Sequence, residues 1–331
     1  MTRSKPRVGF LGTGWIGRHR MAAMLDTGAV EAVAVAEPSP AAAAEAQALA
    51  PGAALVADLD ALLAHDLDGV VIATPSAMHA EQSIRALEAG VAVFCQKPLG
   101  RTEDEVRQVA DAARRADRLL GVDLSYRFTG AGLRVREAVR SGELGRVFAA
   151  DLVFHNAYGP DKPWFYRREL SGGGCVMDLG VHLVDLALWA LDFPEVAEVS
   201  SHLRAGGAPL ADGTDAVEDY AVATLTLADG TVVRIACSWN LQAGREADIS
   251  AAFWGTAGGA EMRNAGGSFY DFEASRLHGT TRSILSSPPD AWGGRAAADW
   301  ARRLAAGERF DPENERLVEV ARVLDRIYAG R

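Results

Sequence analysis

A short apolar run, Arg7–Leu11, leads directly into Gly12-Thr13-Gly14-Trp15-Ile16-Gly17, and a helical pattern follows from Ile16 to Asp26. No other feature of the chain limits its possible folds so tightly. The first glycine permits a tight turn after a strand, the second lets backbone approach a ligand, and the third lets a helix pack close to the strand. A second apolar run, Val30–Ala36, ends at Glu37, twenty residues after Gly17. Strand, glycine turn, helix, strand and acid in this order describe a dinucleotide site. The helix N-terminus holds the pyrophosphate charge and Glu37 accepts hydrogen bonds from a ribose. Gly12, Thr13, Gly14, Trp15, Ile16, Gly17 and Glu37 are the expected contacts. A carboxylate at position 37 repels a 2′-phosphate, and Pro38-Ser39-Pro40 offers no arginine to receive one, so NAD is favoured over NADP.

The alternation continues with strands over Ala53–Val56, Gly69–Ala73, Val91–Cys95 and Leu119–Val122, and with helices over Ala77–Ala89 and Glu103–Asp117. Continuous apolar strands between amphipathic helices predict an α/β, doubly wound parallel sheet of Rossmann type over residues 1–123.

After Val122 the rhythm breaks. A helix is predicted over Ala131–Ser141, a strand over Val147–Phe154, then an irregular aromatic segment and a helix over Leu179–Leu191. Longer strands begin at about Val196. Val217–Leu227 and Thr231–Trp239 flank Asp229-Gly230, a strong hairpin signal. Ile249–Trp254, Ala260–Arg263 and Ser268–Phe272 extend the sheet, and helices over Ala291–Ala306 and Pro312–Ala329 follow. Residues 124–331 are therefore expected to form an α+β domain with one large, mostly antiparallel open sheet. Ala221, Ala223, Leu225 and Leu227 alternate with Tyr220, Val222, Thr224 and Thr226, so neither face is strongly charged. One face should pack on helices and the other should need a partner, which predicts a homodimer or homotetramer joined through this sheet.

At 331 residues and 49% hydrophobic, the chain has material for two cores. Its net charge of −10, with arginines spread along helices, argues against nucleic acid and anionic membrane as partners. Cys95, Cys175 and Cys237 are odd in number and sit in apolar runs, which fits reduced thiols in a cytoplasm better than disulfides. No His/Cys cluster has ligand spacing, so no metal is expected. No signal peptide fits before Arg7, and no apolar run reaches the ~18 residues that span a bilayer.

Lys5, Lys97 and Lys162 are the only lysines among 34 basic residues. Lys97 closes a strand in Val91-Ala92-Val93-Phe94-Cys95-Gln96-Lys97-Pro98. Lysine can lower its pKa and pass a proton, which arginine in practice cannot, so Lys97 reads as a working residue. Asp178 and His182 are four apart at the start of a helix, behind Gly172-Gly173-Gly174, which lets the chain approach another surface closely. Alone, Asp178 fits an N-cap and His182 a core histidine equally well. Beside Lys97 and the nucleotide fingerprint, the pair become candidates for chemistry. His155, Tyr158, Trp164, Tyr166, Trp239 and Asn240 are candidates for shaping a pocket, although ordinary packing explains each as well. Asp185 reads as a helix residue with a local hydrogen bond, and Arg18-His19-Arg20 as a solvated helix face.

In combination, Gly12–Gly17, Thr74-Pro75 with His79, Gln96-Lys97-Pro98, Tyr126-Arg127-Phe128 and the Gly172-to-Asp185 segment resemble the glucose–fructose oxidoreductase/inositol dehydrogenase/rhizopine catabolism (Gfo/Idh/MocA) oxidoreductases. The resemblance covers almost the whole chain. It implies a Rossmann domain, a sheet-rich substrate domain, and hydride transfer between a nicotinamide and a sugar or cyclitol. It also implies Lys97, Asp178 and His182 as a catalytic trio, with Thr74, Pro75, His79 and Gln96 along the cofactor and Arg127 near nicotinamide and substrate. The substrate set is then Lys97, Arg127, His155, Tyr158, Trp164, Asp178, His182 and Trp239. Two departures stand out: Gln96 where the family usually has Glu, and Ser76 where it often has Asn. A neutral neighbour holds a lysine's proton less tightly than a carboxylate does.

On this resemblance His182 suits a general base, Lys97 stabilises the reacting oxygen, and Asp178 holds Lys97 or a neighbouring hydroxyl. The expected function is NAD-dependent oxidation or reduction at a hydroxyl-bearing carbon of a sugar, sugar derivative or cyclitol. Two alternatives stay open from the sequence. One is a glycosidase or epimerase that retains NAD and oxidises its substrate transiently; the other is a non-catalytic, nucleotide-bound sugar sensor.

Overall fold

The computed structural model describes residues 5–211 and 213–330. The chain divides into two compact units. The first takes the chain up to Gly100, Asp104–Asp123 and Gly294–Val318; the second takes Arg101–Glu103, Leu124–Gly293 and the chain from Glu319 onward.

In the first unit, β1 (Arg7–Leu11), β2 (Glu31–Ala36), β3 (Ala54–Val56), β4 (Gly69–Ile72), β5 (Ala92–Cys95) and β6 (Leu120–Val122) form one sheet in the order β3-β2-β1-β4-β5-β6. Every pairing in it is parallel. All residues of β4 and β5 are buried, as expected for strands covered on both faces. The intervening helices are α1 (Trp15–Asp26), α2 (Pro40–Leu49), α3 (Leu59–Leu63), α4 (His79–Glu88) and α5 (Glu103–Ala116). Strand order reverses between β1 and β4, and such a reversal opens a crevice at the carboxyl ends of the strands. The Gly12–Gly17 turn leaves β1 at that point, and Ala73-Thr74-Pro75 leaves β4.

A single cut between residues 123 and 124 does not describe this unit, because Gly294–Val318 returns to it. The anchor is Trp300, 2% exposed, on the helix Arg295–Ala306. Its ring packs on Phe94 with centroids 5.8 Å apart. A Cβ on Gly69 or on Gly121 would come within 2.7 Å of the ring, so these strand glycines make the seat. Shape complementarity between residues more than 170 apart leaves no periodic trace in sequence.

In the second unit, α6 (Gly130–Arg140), β7 (Val147–Asn156), the one-turn α7 (Arg168–Ser171) and α8 (Val181–Leu191) precede the main run of strands. These are β8 (Val196–Ala205), β9 (Ala208–Pro209), β10 (Tyr220–Leu227), β11 (Val232–Ser238), β12 (Ala247–Gly255), β13 (Gly259–Asn264), β14 (Phe272–His278) and β15 (Thr281–Ser286). They form a nine-stranded sheet in the order β15-β14-β13-β12-β7-β11-β10-β8-β9, antiparallel except where β11 meets β7. The predicted strand Ser268–Phe272 is displaced: the chain bends at residues 269–270, and the strand begins at Phe272. Its polar sequence, with Glu273, Ser275 and Arg276, hid it, as did the equally polar β15. The Asp229-Gly230 hairpin is real but uses a three-residue loop. Leu227 N–H reaches Thr231 O at 2.9 Å, and only Gly230 adopts positive φ (87°).

Along β10, Ala221, Ala223, Leu225 and Leu227 are buried while their neighbours are half-exposed. The half-exposed face is less apolar than β10 alone suggests. Register places Thr224 opposite Arg234 and Arg234 opposite Asp151, which are joined at 2.5 Å. The helical run Arg168–Leu191 is long and apolar enough to cross a membrane, contrary to the expectation that none would be. Its critical window is 89% buried inside the protein, as befits a core helix.

Candidate active site

The three glycines of the fingerprint meet three different surroundings. Gly12 has φ +81°, and a Cβ on it would lie 2.7 Å from the Ala73 carbonyl oxygen. A Cβ on Gly17 would lie 2.2 Å from the Gly12 carbonyl oxygen, so this glycine lets α1 sit against the turn. A Cβ on Gly14 would meet nothing within 4 Å. That open space, at the N-terminus of α1, is where a pyrophosphate would be cradled. The residues present thus fit a dinucleotide.

Glu37 is fixed to the turn. Its carboxylate accepts the Thr13 N–H at 2.6 Å and the Ser39 N–H at 2.9 Å. Arg18 of α1 donates to Thr13 O at 3.1 Å and pairs with Glu45. Trp15 is 63% exposed beside the turn.

Thr74 leaves β4 with its hydroxyl on Gln82 at 2.7 Å. His79 lies 2.7 Å from both the Pro98 and the Thr74 carbonyl oxygens through its two ring nitrogens, and is 1% exposed. Burial, the largest influence, holds its pKa below the usual histidine value against these two carbonyls. Its expected place along the cofactor would then rest on packing and not on a ring-nitrogen hydrogen bond. His79 ties the loop after β4 to the loop after β5 and offers no free ring nitrogen to a ligand.

Lys97 stands just past the end of β5. Gln96 is 7% exposed and donates its amide to Asp123 Oδ2 at 2.7 Å. The same oxygen receives Arg20 Nε at 2.5 Å. Arg20 and Asp123 are 6% and 1% exposed, so Arg18-His19-Arg20 is not simply a solvated face. Sequence reading missed Arg20 and Asp123, since nothing in a spacing of 103 residues pairs them.

In the second unit, Asp178 lies in a π-helical turn, Val176–Gly180, that runs into α8, and His182 lies one turn on. Single π turns of this kind often mark functional positions. Asp178, His182 and Asp185 form one polar stripe on an otherwise apolar helix. Asp178 accepts the indole N–H of Trp239 at 3.1 Å. His182, 7% exposed, packs edge-on against Tyr126 with centroids 4.8 Å apart. Asp185, 1% exposed, receives Arg127 Nε at 2.8 Å and its Nη2 as well. Burial raises the Asp185 carboxyl, and the Arg127 charge opposes that.

Two expectations change here. The Asp185 bond is not local, and two nitrogens of the Arg127 fork are engaged by it, so a ligand would meet an arginine already held in place. Arg127 also faces the Trp189 and Phe193 rings at 5.8 and 5.5 Å.

The triple glycine approaches Glu218 and Tyr328. A Cβ on Gly173 would lie 1.9 Å from the Tyr328 hydroxyl, and one on Gly174 would lie 1.9 Å from the Glu218 carbonyl oxygen. Glu218 Oε1 accepts the N–H groups of Gly174 and Val176 at 2.9 Å each and the Tyr328 hydroxyl at 2.8 Å. Its main-chain oxygen accepts the Cys175 N–H at 2.9 Å. An acid from another segment thus caps the helix that carries Asp178 and His182, a partner that sequence spacing does not reveal.

Among the aromatic candidates, Trp239 is 3% exposed and serves to hold Asp178. Tyr166 meets Trp239 edge-on at 5.6 Å and donates to Pro160 O at 2.9 Å. Trp164 stacks on Phe165 at 3.8 Å, and Tyr158, 49% exposed, packs near Phe269 at 5.9 Å. Asn240 accepts the Gly159 N–H at 3.0 Å. His155, expected as a substrate contact, is not brought together with His182. Phe154 packs toward His182, so strand alternation sends His155 to the opposite face, where it stacks on Tyr220 and bonds Ser238 Oγ at 2.7 Å.

All three cysteines are free and buried. Cys175 and Cys237 lie 3.8 Å apart, sulfur to sulfur, and burial pushes the Cys175 thiol well up, which makes it unreactive. Among the described residues no group of three or more His, Cys, Asp or Glu is placed to hold a metal.

Comparison with known proteins gives this geometry its context. A D-glucoside 3-dehydrogenase of Escherichia coli (strain K12) is 31% identical over 211 residues, 61% of this chain and 60% of that protein. The match thus spans under two thirds of that relative's length. An Amycolatopsis mediterranei (strain S699) protein, provisionally named a UDP-kanosamine synthase oxidoreductase subunit, is 31% identical over 276 residues, 78% of this chain and 75% of that one. The structure of a levoglucosan dehydrogenase in complex with NADH and levoglucosan superposes with a TM-score of 0.83 at 22% identity, covering 99% of this chain and 97% of that one, which establishes the fold. Residues 6–124 match the oxidoreductase family with an NAD-binding Rossmann fold and residues 133–261 match the GFO/IDH/MocA C-terminal domain, so the chain belongs to the Gfo/Idh/MocA oxidoreductases.

Proposed function

We propose that the protein is an NAD-dependent oxidoreductase acting on a hydroxyl-bearing carbon of a sugar, sugar derivative or cyclitol. One observation carries the reading. The Gly12–Gly17 turn leaves Gly14 open at the strand-order reversal of the first unit, and Lys97 leaves the same end of that sheet. Family membership and the sugar-converting relatives support the substrate class. Bound nicotinamide supplies the redox chemistry by accepting or donating hydride. The chain supplies the rest. Lys97 donates a hydrogen bond to the reacting oxygen and stabilises its developing charge. His182 takes the hydroxyl proton, and Asp178, held by Trp239, orients the proton-bearing groups. Glu37 selects NAD by binding the ribose hydroxyls and repelling a 2′-phosphate. The buried, unbridged cysteines fit a reducing compartment such as the cytoplasm.

The test is a panel of inositols, aldoses, glycosides and sugar acids followed at the NADH absorbance band. With the true substrate, Lys97→Ala should lower turnover by at least ~10²-fold while NAD affinity stays within a few-fold. Lys97→Arg should rescue poorly, because the bulkier planar guanidinium cannot place its donors where the compact ammonium does. A Lys97→Ala enzyme with normal turnover would overturn the assignment.

A further inference from the structure

Gln96 and Asp123 share one charge. Asp123 Oδ2 lies 2.7 Å from Gln96 Nε2 and 2.5 Å from Arg20 Nε, and all three residues are buried. An ionised carboxylate only accepts hydrogen bonds, so the Gln96 amide must turn its NH2 toward it. A glutamate at 96 would set its carboxylate against that of Asp123 inside the protein, beside the bond Asp123 makes to Arg20, and one of the two acids would have to take up a proton or move. Three elements meet here: Arg20 comes from α1, the helix behind the nucleotide turn; Asp123 follows β6; and Gln96 follows β5, one residue before Lys97. On the other side of Lys97, His79 engages the Pro98 carbonyl oxygen at 2.7 Å.

We propose that Gln96, Asp123 and Arg20 form a charge-matched unit that positions Lys97, with Gln96 obliged to be a neutral donor because Asp123 already holds the carboxylate that Arg20 neutralises. Its bearing on turnover rests on the oxidoreductase reading above; its bearing on Lys97 does not. His19 joins the unit, with its Nδ1 2.9 Å from Arg20 Nη1, and the Lys97 charge acts on His79; the proposal adds that positions 96 and 123 together carry only one carboxylate.

The experiment transposes the charge. Gln96→Glu should lower kcat by ~10-fold or more, with a smaller change in KM and a pH profile moved toward acid, where the surplus carboxylate is protonated. The double variant Gln96→Glu/Asp123→Asn restores one carboxylate and one amide and should return kcat to within ~3-fold of the parent, with the parent's pH profile. Gln96→Met keeps the shape without the donor, removes no charge, and should fold. It should lower kcat by several-fold. A readout free of substrate comes from trace acetic anhydride labelling. With only three lysines in the chain, the pH dependence of Lys97 acetylation is read directly by peptide mass spectrometry. The Lys97 labelling profile should move to higher pH in Gln96→Glu, return in the double variant, and leave Lys162 unmoved. Parent-like turnover and labelling in both Gln96→Glu and Gln96→Met would overturn the proposal, as would a double variant no better than its worse single variant. If no sugar supports turnover yet labelling shifts and returns as stated, the positioning unit stands and the oxidoreductase reading falls.

Discussion

Glu218→Ala tests whether the segment carrying Asp178 is held from outside its own helix. Alanine removes three hydrogen bonds to Glu218 Oε1, from the Gly174 and Val176 amides and the Tyr328 hydroxyl, and keeps the main-chain bond to Cys175. Each buried amide left without an acceptor costs about 1–3 kcal/mol, and the tyrosine bond adds about 1 kcal/mol. That gives a gross loss of roughly 3–7 kcal/mol. Burial raises the Glu218 carboxyl pKa, the sign of a desolvation cost that alanine relieves, so a net loss of about 2–4 kcal/mol is expected. Glu218→Gln keeps an acceptor oxygen in place and should cost under about 1.5 kcal/mol. Global denaturation is a poor assay for a chain of two units, because its transition need not be two-state. Amide hydrogen exchange reads the site directly. At about 1.4 kcal/mol per decade, protection at Gly174 and Val176 should fall ~30- to 10³-fold in Glu218→Ala. Parent-like protection at both amides would refute the capping argument, whatever happened to activity.

Calorimetric titration should show NAD binding more tightly than NADP, and Glu37→Ser with Pro38→Arg should reverse the preference; equal binding of both by the parent would remove Glu37's role. His79 should make stability fall on the acid side. Its folded pKa is depressed by burial, so its contribution is present above the unfolded value of 6.5 and is lost as pH falls through the lower folded value; His79→Gln should flatten that part of a melting-temperature profile. His155→Ala should leave kcat/KM within ~3-fold, because its ring lies on the sheet face away from His182; a loss of ~10²-fold would restore it to the substrate set. Light scattering at micromolar protein should show a dimer or tetramer; a ~35 kDa monomer would count against association through the open sheet face.

The sequence by itself determined the local and periodic parts of this protein. Short apolar runs between amphipathic helices dictated a parallel sheet, and Gly12, Gly14 and Gly17 announced their separate roles because each role is a backbone property of one position. Lys97, Asp178 and His182 were singled out as candidates by residue chemistry and resemblance. Tertiary structure alone decided which partners hold these residues. Glu218 and Tyr328 reach the triple glycine from 44 and more than 150 positions away, and Trp300 finds its seat on Gly69 and Gly121 across a similar gulf. It also decided which candidates face elsewhere. His155 and Phe154 are neighbours in sequence, yet a strand sends them to opposite faces, and Arg127, read as a ligand contact, is held by Asp185. The physical reason is the same in each case. Hydrogen bonds and packing depend on distance in space, and a linear sequence records that distance only where the chain turns back on itself within a few residues.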